Sequence, residues 1–238
     1  MGDTKKAVGI MKKIYILHGW AYSTEKWEPF LHTLKQNNIP YELLKIPGLT
    51  APLNEAWTLD DYVAWLRKSI VNEKEKVILL GHSNGGRISL AFALKYPEKV
   101  SQLFLIDSAG IYHNEFSLWL KRLAFKNLAR FKKIAYNTVL KNILYKLARE
   151  DDYNKAAPFM KKTMQNLIES DLSDQLQKIE IPTTIIWGEN DTTTPVVDAA
   201  VMHEKIKDSK LFIIINARHS PQFTHVNEVS DILIKEVK

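Results

Sequence analysis

Short apolar runs alternate with longer stretches of helical periodicity along most of this chain. Ile14–Leu17, Tyr41–Ile46, Val77–Leu80, Gln102–Ile106, Thr183–Trp187 and Leu211–Ile215 are the strand candidates, and most are continuously apolar rather than alternating in and out. A strand of that kind is covered on both faces, as in a parallel sheet between two layers of helices. Helical patterns fill the intervals at Thr24–Gln36, Leu59–Val71, Gly85–Lys95, Val196–Ile206 and Val226–Val237. The second opens after Thr58 with Asp60 and Asp61 behind it, which reads as a capped N-terminus, and the third stops before Pro97. Repeated strand–helix order predicts an α/β fold with a doubly wound, mostly parallel sheet.

One interval breaks this rhythm. Residues 113–170 carry no strand signal and read as two or three amphipathic helices, with Phe116, Leu120, Leu123, Leu128 and Phe131 near helical spacing, then Tyr136, Leu140, Ile143, Leu144 and Leu147. The interval holds twelve Lys and Arg against five Asp and Glu, a net of +7 beside +6 for the whole chain, so the remainder is close to neutral at −1. The basic excess therefore belongs to one helical insertion and not to the α/β body.

The 238 residues are 45% hydrophobic and 25% charged, with 9 Gly and 9 Pro, which excludes a disordered or low-complexity chain and permits a single large domain. There is no cysteine, which excludes a disulfide framework, a thiol nucleophile and a cysteine metal site. No apolar run approaches the roughly 20 residues that span a bilayer. No apolar segment of signal-peptide length follows the basic residues of the N-terminus, so a cytoplasmic protein without a transmembrane segment is expected. Met11 offers an alternative start, which would make the first ten residues an extension outside the fold.

The chemistry concentrates at the ends of the strand candidates. Gly81-His82-Ser83-Asn84-Gly85-Gly86 follows a strand directly and opens a helix, the setting in which G-x-S-x-G exposes a serine hydroxyl on a sharp turn. Gly81 and Gly85 leave out the Cβ atoms that would collide there. The helix start supplies free N–H groups and the positive end of the dipole, suited to an oxyanion. A dinucleotide fingerprint fits poorly, because Ser83 stands where its central glycine would be. After the first strand, His18-Gly19-Trp20 can aim the Trp20 N–H at the same space, and with the Asn84 N–H it would form a two-donor oxyanion hole.

A serine hydroxyl needs a base, and the base needs an orienting acid. Asp191 lies in the loop after the fifth strand; Glu189 beside it and Asp107 after the fourth strand are its rivals, and Asp191 can equally serve as a turn former before Pro195. Of seven histidines, His219 follows the last strand and comes after the acid; His225, six residues on, is the weaker candidate, and His82 adjoins Ser83 but would point away from it. An imidazole of ordinary pKa is mostly neutral near pH 7 and can accept the serine proton.

Taken in order, HG, G-x-S-x-G, a strand-end Asp and a strand-end His, the chain resembles the α/β-hydrolase superfamily over residues 12–110 and 172–238. Leu176–Asp191 resembles that family's strand before the acid, and Asn216–Glu228 the stretch around its histidine. The resemblance implies a triad of Ser83, Asp191 and His219, with oxyanion donors Trp20 and Asn84. It also implies a core of residues 12–112 and 171–238, and a helical cap, or lid, at 113–170 inserted after the fourth strand. Little chain precedes the first strand, so the family's N-terminal hairpin is expected to be missing and the sheet to have about six strands. The loop Pro47–Pro52 departs from the G-x-G stretch common in the family. Serine at the nucleophile position argues against the epoxide hydrolase and haloalkane dehalogenase relatives, which use a carboxylate there.

The reaction expected is hydrolysis of carboxylic esters of small or medium acyl groups through an acyl-enzyme on Ser83, with no metal and no organic cofactor. Lactone hydrolysis and carbon–carbon bond hydrolysis are alternatives, and a non-catalytic binding protein on the same fold would be expected to lack a triad member. Phe116, Trp119, Phe125, Phe131 and Tyr136 could roof an acyl pocket or simply pack the cap onto the body. Arg122, Lys126, Arg130 and Lys133 share a helical face, which is either solvated or a docking site for an acidic carrier or anionic surface. The segment LHGW at Leu17–Trp20 resembles carboxylesterases that cleave methyl esters from acyl carrier proteins. No nucleic-acid motif accompanies the basic interval. Monomer and homodimer both remain open.

Overall fold

A computed structural model of the protein describes residues 11–112 and 157–237. Among them a six-stranded, wholly parallel sheet runs β2-β1-β3-β4-β5-β6, built from β1 (Ile14–Leu17), β2 (Tyr41–Leu43), β3 (Val77–His82), β4 (Val100–Ile106), β5 (Thr183–Gly188) and β6 (Ser209–Ile214). The helices are α1 (Glu28–Gln36), α2 (Leu59–Ser69), α3 (Asn84–Lys95), α4 (Pro158–Glu169), α5 (Val196–Lys205), the short α6 (Pro221–Thr224) and α7 (Val226–Val237). This is the doubly wound α/β sheet that the alternating pattern predicts. The differences lie at strand ends. β2 stops at Leu43 because the chain turns into the Pro47 loop, where the Ile46 N–H goes to the Thr50 hydroxyl. β3 runs two residues further, through Gly81 and His82, because β4 extends far enough to pair with both.

Alternate residues of each strand feed two separate cores. Tyr15, Leu17, Leu79, Leu103, Leu105, Ile185 and Trp187 pack with α2, α3 and α5 through Tyr62, Leu66, Ile88, Phe92 and Met202. Ile14, Ile16, Ile78, Leu80, Phe104, Ile106 and Ile186 pack with α1 and α7 through Phe30, Leu34, Val229 and Leu233. Burial on both faces explains why the strands read as continuous apolar runs. The cap of α2 forms as its sequence suggests: the Thr58 side chain accepts from the Asp61 N–H, and the Asp61 carboxylate accepts from the Thr58 N–H.

The insertion follows β4, and of the predicted interval 113–170 the part at 113–156 lies outside the described residues, including every aromatic and basic residue singled out there. Its return segment, α4, packs on the body through Met160 and Leu167, and Met164 is buried as well. Thr163 accepts from the Trp57 N–H, Asn166 donates to the Trp57 carbonyl, and Arg87 of α3, which is buried, donates to the Leu167 carbonyl in the last turn of α4. Burial lowers the Arg87 pKa to about 10. Among the described residues no helix is long and apolar enough to cross a membrane.

Candidate active site

The chain changes direction across the sheet between β1 and β3: β2 is added on one side of β1 and every later strand on the other. Open α/β sheets place ligands outside the carboxyl ends of the strands at such a switch point. Here the two loops that leave it are His18–Trp20 and the turn at Ser83.

Ser83 has φ 53° and ψ −119°, a strained conformation for a residue with a side chain, and stands as the residue before α3. Two glycines make this possible. A Cβ on Gly81 would lie 2.5 Å from the Gly86 Cα, and one on Gly85 would collide with the Leu17 carbonyl oxygen. The turn is also tied down by its backbone: the Ser83 N–H donates to Ile106, and the Ser83 carbonyl accepts from Gly86 and Ala109. The His18–Trp20 turn lies directly against it, since a Cβ on Gly19 would meet Ser83 Cβ and His82 Nδ1, each at 3.0 Å. Asn84 opens α3, so its N–H belongs to the first turn, whose donors have no partner within the helix. The side-chain donors Trp20 Nε1 and Asn84 Nδ2 are buried with no hydrogen-bond partner among the described residues.

Of the three acids weighed, Asp191 is the one bonded to His219. Its Oδ2 lies 2.8 Å from His219 Nδ1. Its Oδ1 accepts from the N–H groups of Thr193 and Thr194, so the turn-forming role and the histidine contact hold together. Because an ionised carboxylate only accepts, Nδ1 carries the imidazole proton and Nε2 is left as the acceptor. Glu189 points elsewhere and accepts from the Asn216 N–H. Asp107 is wholly buried, with Oδ2 3.9 Å from His219 Nδ1, beyond hydrogen-bond reach. Burial, reinforced by the Asp191 charge, pushes its carboxyl up to about 7.

His82 turns its ring toward His219, 5.0 Å between ring centroids, and its Nε2 is 3.1 Å from the Ser220 hydroxyl. Burial holds its pKa well below the ordinary imidazole value, with His219 and His18 adding to the effect. The Ser83 hydroxyl itself makes no hydrogen bond to His219 among the described residues; such contacts are often long before substrate binds. His18, buried and held neutral by desolvation, shapes the loop: Nδ1 meets the Gly19 carbonyl and Nε2 the Thr50 hydroxyl, both at 2.8 Å. Among the described residues, the His225 ring bonds only to the neighbouring Thr224 hydroxyl.

Sequence reasoning passed over Thr194. Its hydroxyl lies 2.7 Å from Asp191 Oδ2, 3.1 Å from the Asp107 carbonyl and 3.3 Å from His219 Nδ1. An Asp followed three residues later by Thr was the available signal, being the spacing of a local side-chain turn. One atom each from His82, Asp107 and His219 lie within 4.8 Å of one another, a spacing a metal could bridge. Those residues already have partners within the protein: His82 at Ser220, Asp107 at two backbone N–H groups, and His219 at Asp191.

A sheet of this order with a strained serine at its switch point, and an Asp–His pair on neighbouring loops, defines an α/β hydrolase. The chain belongs to the alpha/beta hydrolase fold family, whose model matches residues 13–226. Among its curated relatives is the pimeloyl-[acyl-carrier protein] methyl ester esterase of Shewanella woodyi, 26% identical, covering 94% of this chain and 93% of the relative. Among solved structures it is similar to an alpha/beta hydrolase enzyme from a Medee basin deep-sea metagenome library, with a TM-score of 0.72 at 19% identity over 95% of this chain and 89% of that one. A meta-cleavage product hydrolase from Pseudomonas fluorescens superposes with a TM-score of 0.67 at 16% identity, over 94% of this chain and 89% of that one. At these identities the structural likenesses establish the fold alone.

Proposed function

We propose that the protein is a serine esterase that hydrolyses carboxylic esters through Ser83, His219 and Asp191. The observation that carries this reading is the 2.8 Å contact between Asp191 Oδ2 and His219 Nδ1, at the sheet edge where Ser83 is held in a strained turn. Ser83 Oγ attacks the ester carbonyl carbon while His219 Nε2 takes its proton. The tetrahedral oxyanion is received by the N–H groups of Trp20 and Asn84. Collapse breaks the carbon–oxygen bond of the leaving group, and the imidazolium returns the proton to the departing alkoxide. Water, deprotonated by the same imidazole, then releases the acid and restores the Ser83 hydroxyl. Asp191 stays ionised throughout and stabilises the imidazolium.

The substrate class follows from the insertion and the relatives. Residues 113–170 would form a cap over this edge, its aromatic residues roofing a small or medium acyl group. The basic residues of that interval, Arg122, Lys126, Arg130 and Lys133, suit an acyl group presented on an acidic carrier. The curated relatives that act on acyl-carrier methyl esters support that choice over a free ester. Hydrolysis of p-nitrophenyl esters of graded chain length tests the chemistry: turnover is expected, and Ser83→Ala and His219→Ala should each abolish it. Charge reversal at Arg122 and Lys126 should lower the ratio of carrier-bound to free methyl-ester hydrolysis. Turnover that survives Ser83→Ala would sink the mechanism, and an unchanged ratio would sink the carrier.

A further inference from the structure

We propose that Asp107 is a positioning residue for this site: a single buried carboxylate that holds the loop carrying Asp191 and the loop carrying His219 at a fixed separation. The inference rests on the esterase reading above. Asp107 Oδ1 accepts from the Gly188 N–H at 2.8 Å, at the start of the Asp191 loop. Oδ2 accepts from the Ser220 N–H at 2.6 Å, immediately after His219. The two donors belong to separate loops and both are backbone groups that can only donate. Each donor takes its own oxygen, on opposite sides of the group, an arrangement that a carboxylate satisfies and an amide, with one oxygen and one NH2, does not.

The backbone around Asp107 extends the same connection to the rest of the site. Its N–H donates to the Ile186 carbonyl at 3.0 Å. Its carbonyl faces the Thr194 hydroxyl, which also reaches Asp191. On either side, Ile106 accepts from the Ser83 N–H and Ala109 donates to the Ser83 carbonyl. The end of β4 therefore touches all three loops that carry the proposed triad. Asp107 and Ser220 have φ of 42° and 95°, and with Ser83 they make three of the five non-glycine residues at positive φ among the described residues. Strain of this kind persists where surrounding contacts over-determine the chain. The two loops also meet without side chains between them, since a Cβ on Gly188 would lie 2.5 Å from the Arg218 carbonyl oxygen.

The charged and titratable groups facing His219 are His82 from the end of β3, Asp107 from the end of β4 and Asp191 from the loop after β5, with His18 behind His82. Asp107 thus has two separable effects. It fixes the imidazole in place, and above about pH 7 it adds a negative charge 3.9 Å from Nδ1.

Asp107→Asn separates this role from a purely structural one. Its amide keeps one acceptor and turns a donor toward the second backbone N–H, which forces one loop away. With a p-nitrophenyl ester, kcat is expected to fall about 10- to 100-fold, the scale of a misplaced catalytic group, with KM held to within about twofold. A folded variant with wild-type kcat, or one whose loss falls on KM and not on kcat, overturns the proposal. So does a loss matching Ser83→Ala with Asp191→Asn still active, since Asp107 would then be the acid partner of His219. If the variant does not fold, hydrogen exchange on the wild-type protein decides. Protection of the Gly188 and Ser220 amides equal to that of the sheet supports the clamp, and open-loop exchange rates overturn it. Labelling by a fluorophosphonate keeps the two readings apart: a wild-type protein unlabelled at Ser83 refutes the esterase reading and not the clamp geometry.

Discussion

Replacing Asp191 with asparagine exchanges one acceptor for a donor at the centre of the site and leaves its shape unchanged. In the wild-type protein Oδ1 accepts from Thr193 and Thr194, and Oδ2 meets the Thr194 hydroxyl and His219 Nδ1. The amide oxygen of the variant keeps the two backbone bonds, so its NH2 takes the place of Oδ2. An NH2 cannot accept from Nδ1. The imidazole must then offer a lone pair at Nδ1 and carry its proton on Nε2, where it can no longer take the Ser83 proton. A base held in the wrong tautomer costs on the order of 10⁴ in kcat. At 1.36 kcal/mol per tenfold step that is about 5 kcal/mol of barrier. The fold should survive, because both backbone bonds remain and the Thr194 hydroxyl can reverse to accept. Steady-state hydrolysis of a p-nitrophenyl ester gives kcat, and a thermal melt controls for folding. Glu189→Gln, whose carboxylate bonds only the remote Asn216 N–H among the described residues, is the matched control and should keep its rate. A folded Asp191→Asn variant within about tenfold of wild-type activity would refute the tautomer argument.

Two further outcomes test the structure away from turnover. Thr58→Ala removes one half of the capping box of α2 and should cost about 1 kcal/mol, a fall in Tm of roughly 2–4 °C at this chain length; an unchanged melt would mean that the cap contributes nothing. Burial holds His82 below its unfolded value of 6.5, so its contribution to stability is complete above that pH and is lost as the pH falls, when the unfolded chain takes up a proton that the folded one refuses. His82→Gln should therefore flatten the decline of Tm between pH 7 and pH 5, and an unaltered slope would show that His82 is not the group responsible.

The legible parts of the fold are those set by near neighbours in sequence. Ile14–Leu17 and Val226–Val237 were bounded by their patterns alone. Less legible were the ends of β2 and β3, because a strand stops where its partner stops or where a side chain such as Thr50 takes its N–H away. The chemistry divides in the same way. The glycines around Ser83 announce a tight turn, because the atoms they would otherwise strike belong to the turn itself and to the strand end beside it. Adjacency to Ser83 says only that His82 points away from that serine; that its ring faces His219 follows from the pairing that carries β3 through it and from the path of a distant loop.

What the sequence determined by itself was therefore the alternation of strands and helices, the cap on α2 and the serine turn, each encoded within a few residues of chain by periodicity, side-chain hydrogen bonding or the absence of a Cβ. What only the tertiary structure decided was which of three strand-end acids reaches His219. Asp107, Glu189 and Asp191 carry the same carboxylate on similar loops, and strand order and loop path, set by packing across the whole sheet, leave one oxygen at 2.8 Å from the imidazole and give the other two acids to backbone N–H groups.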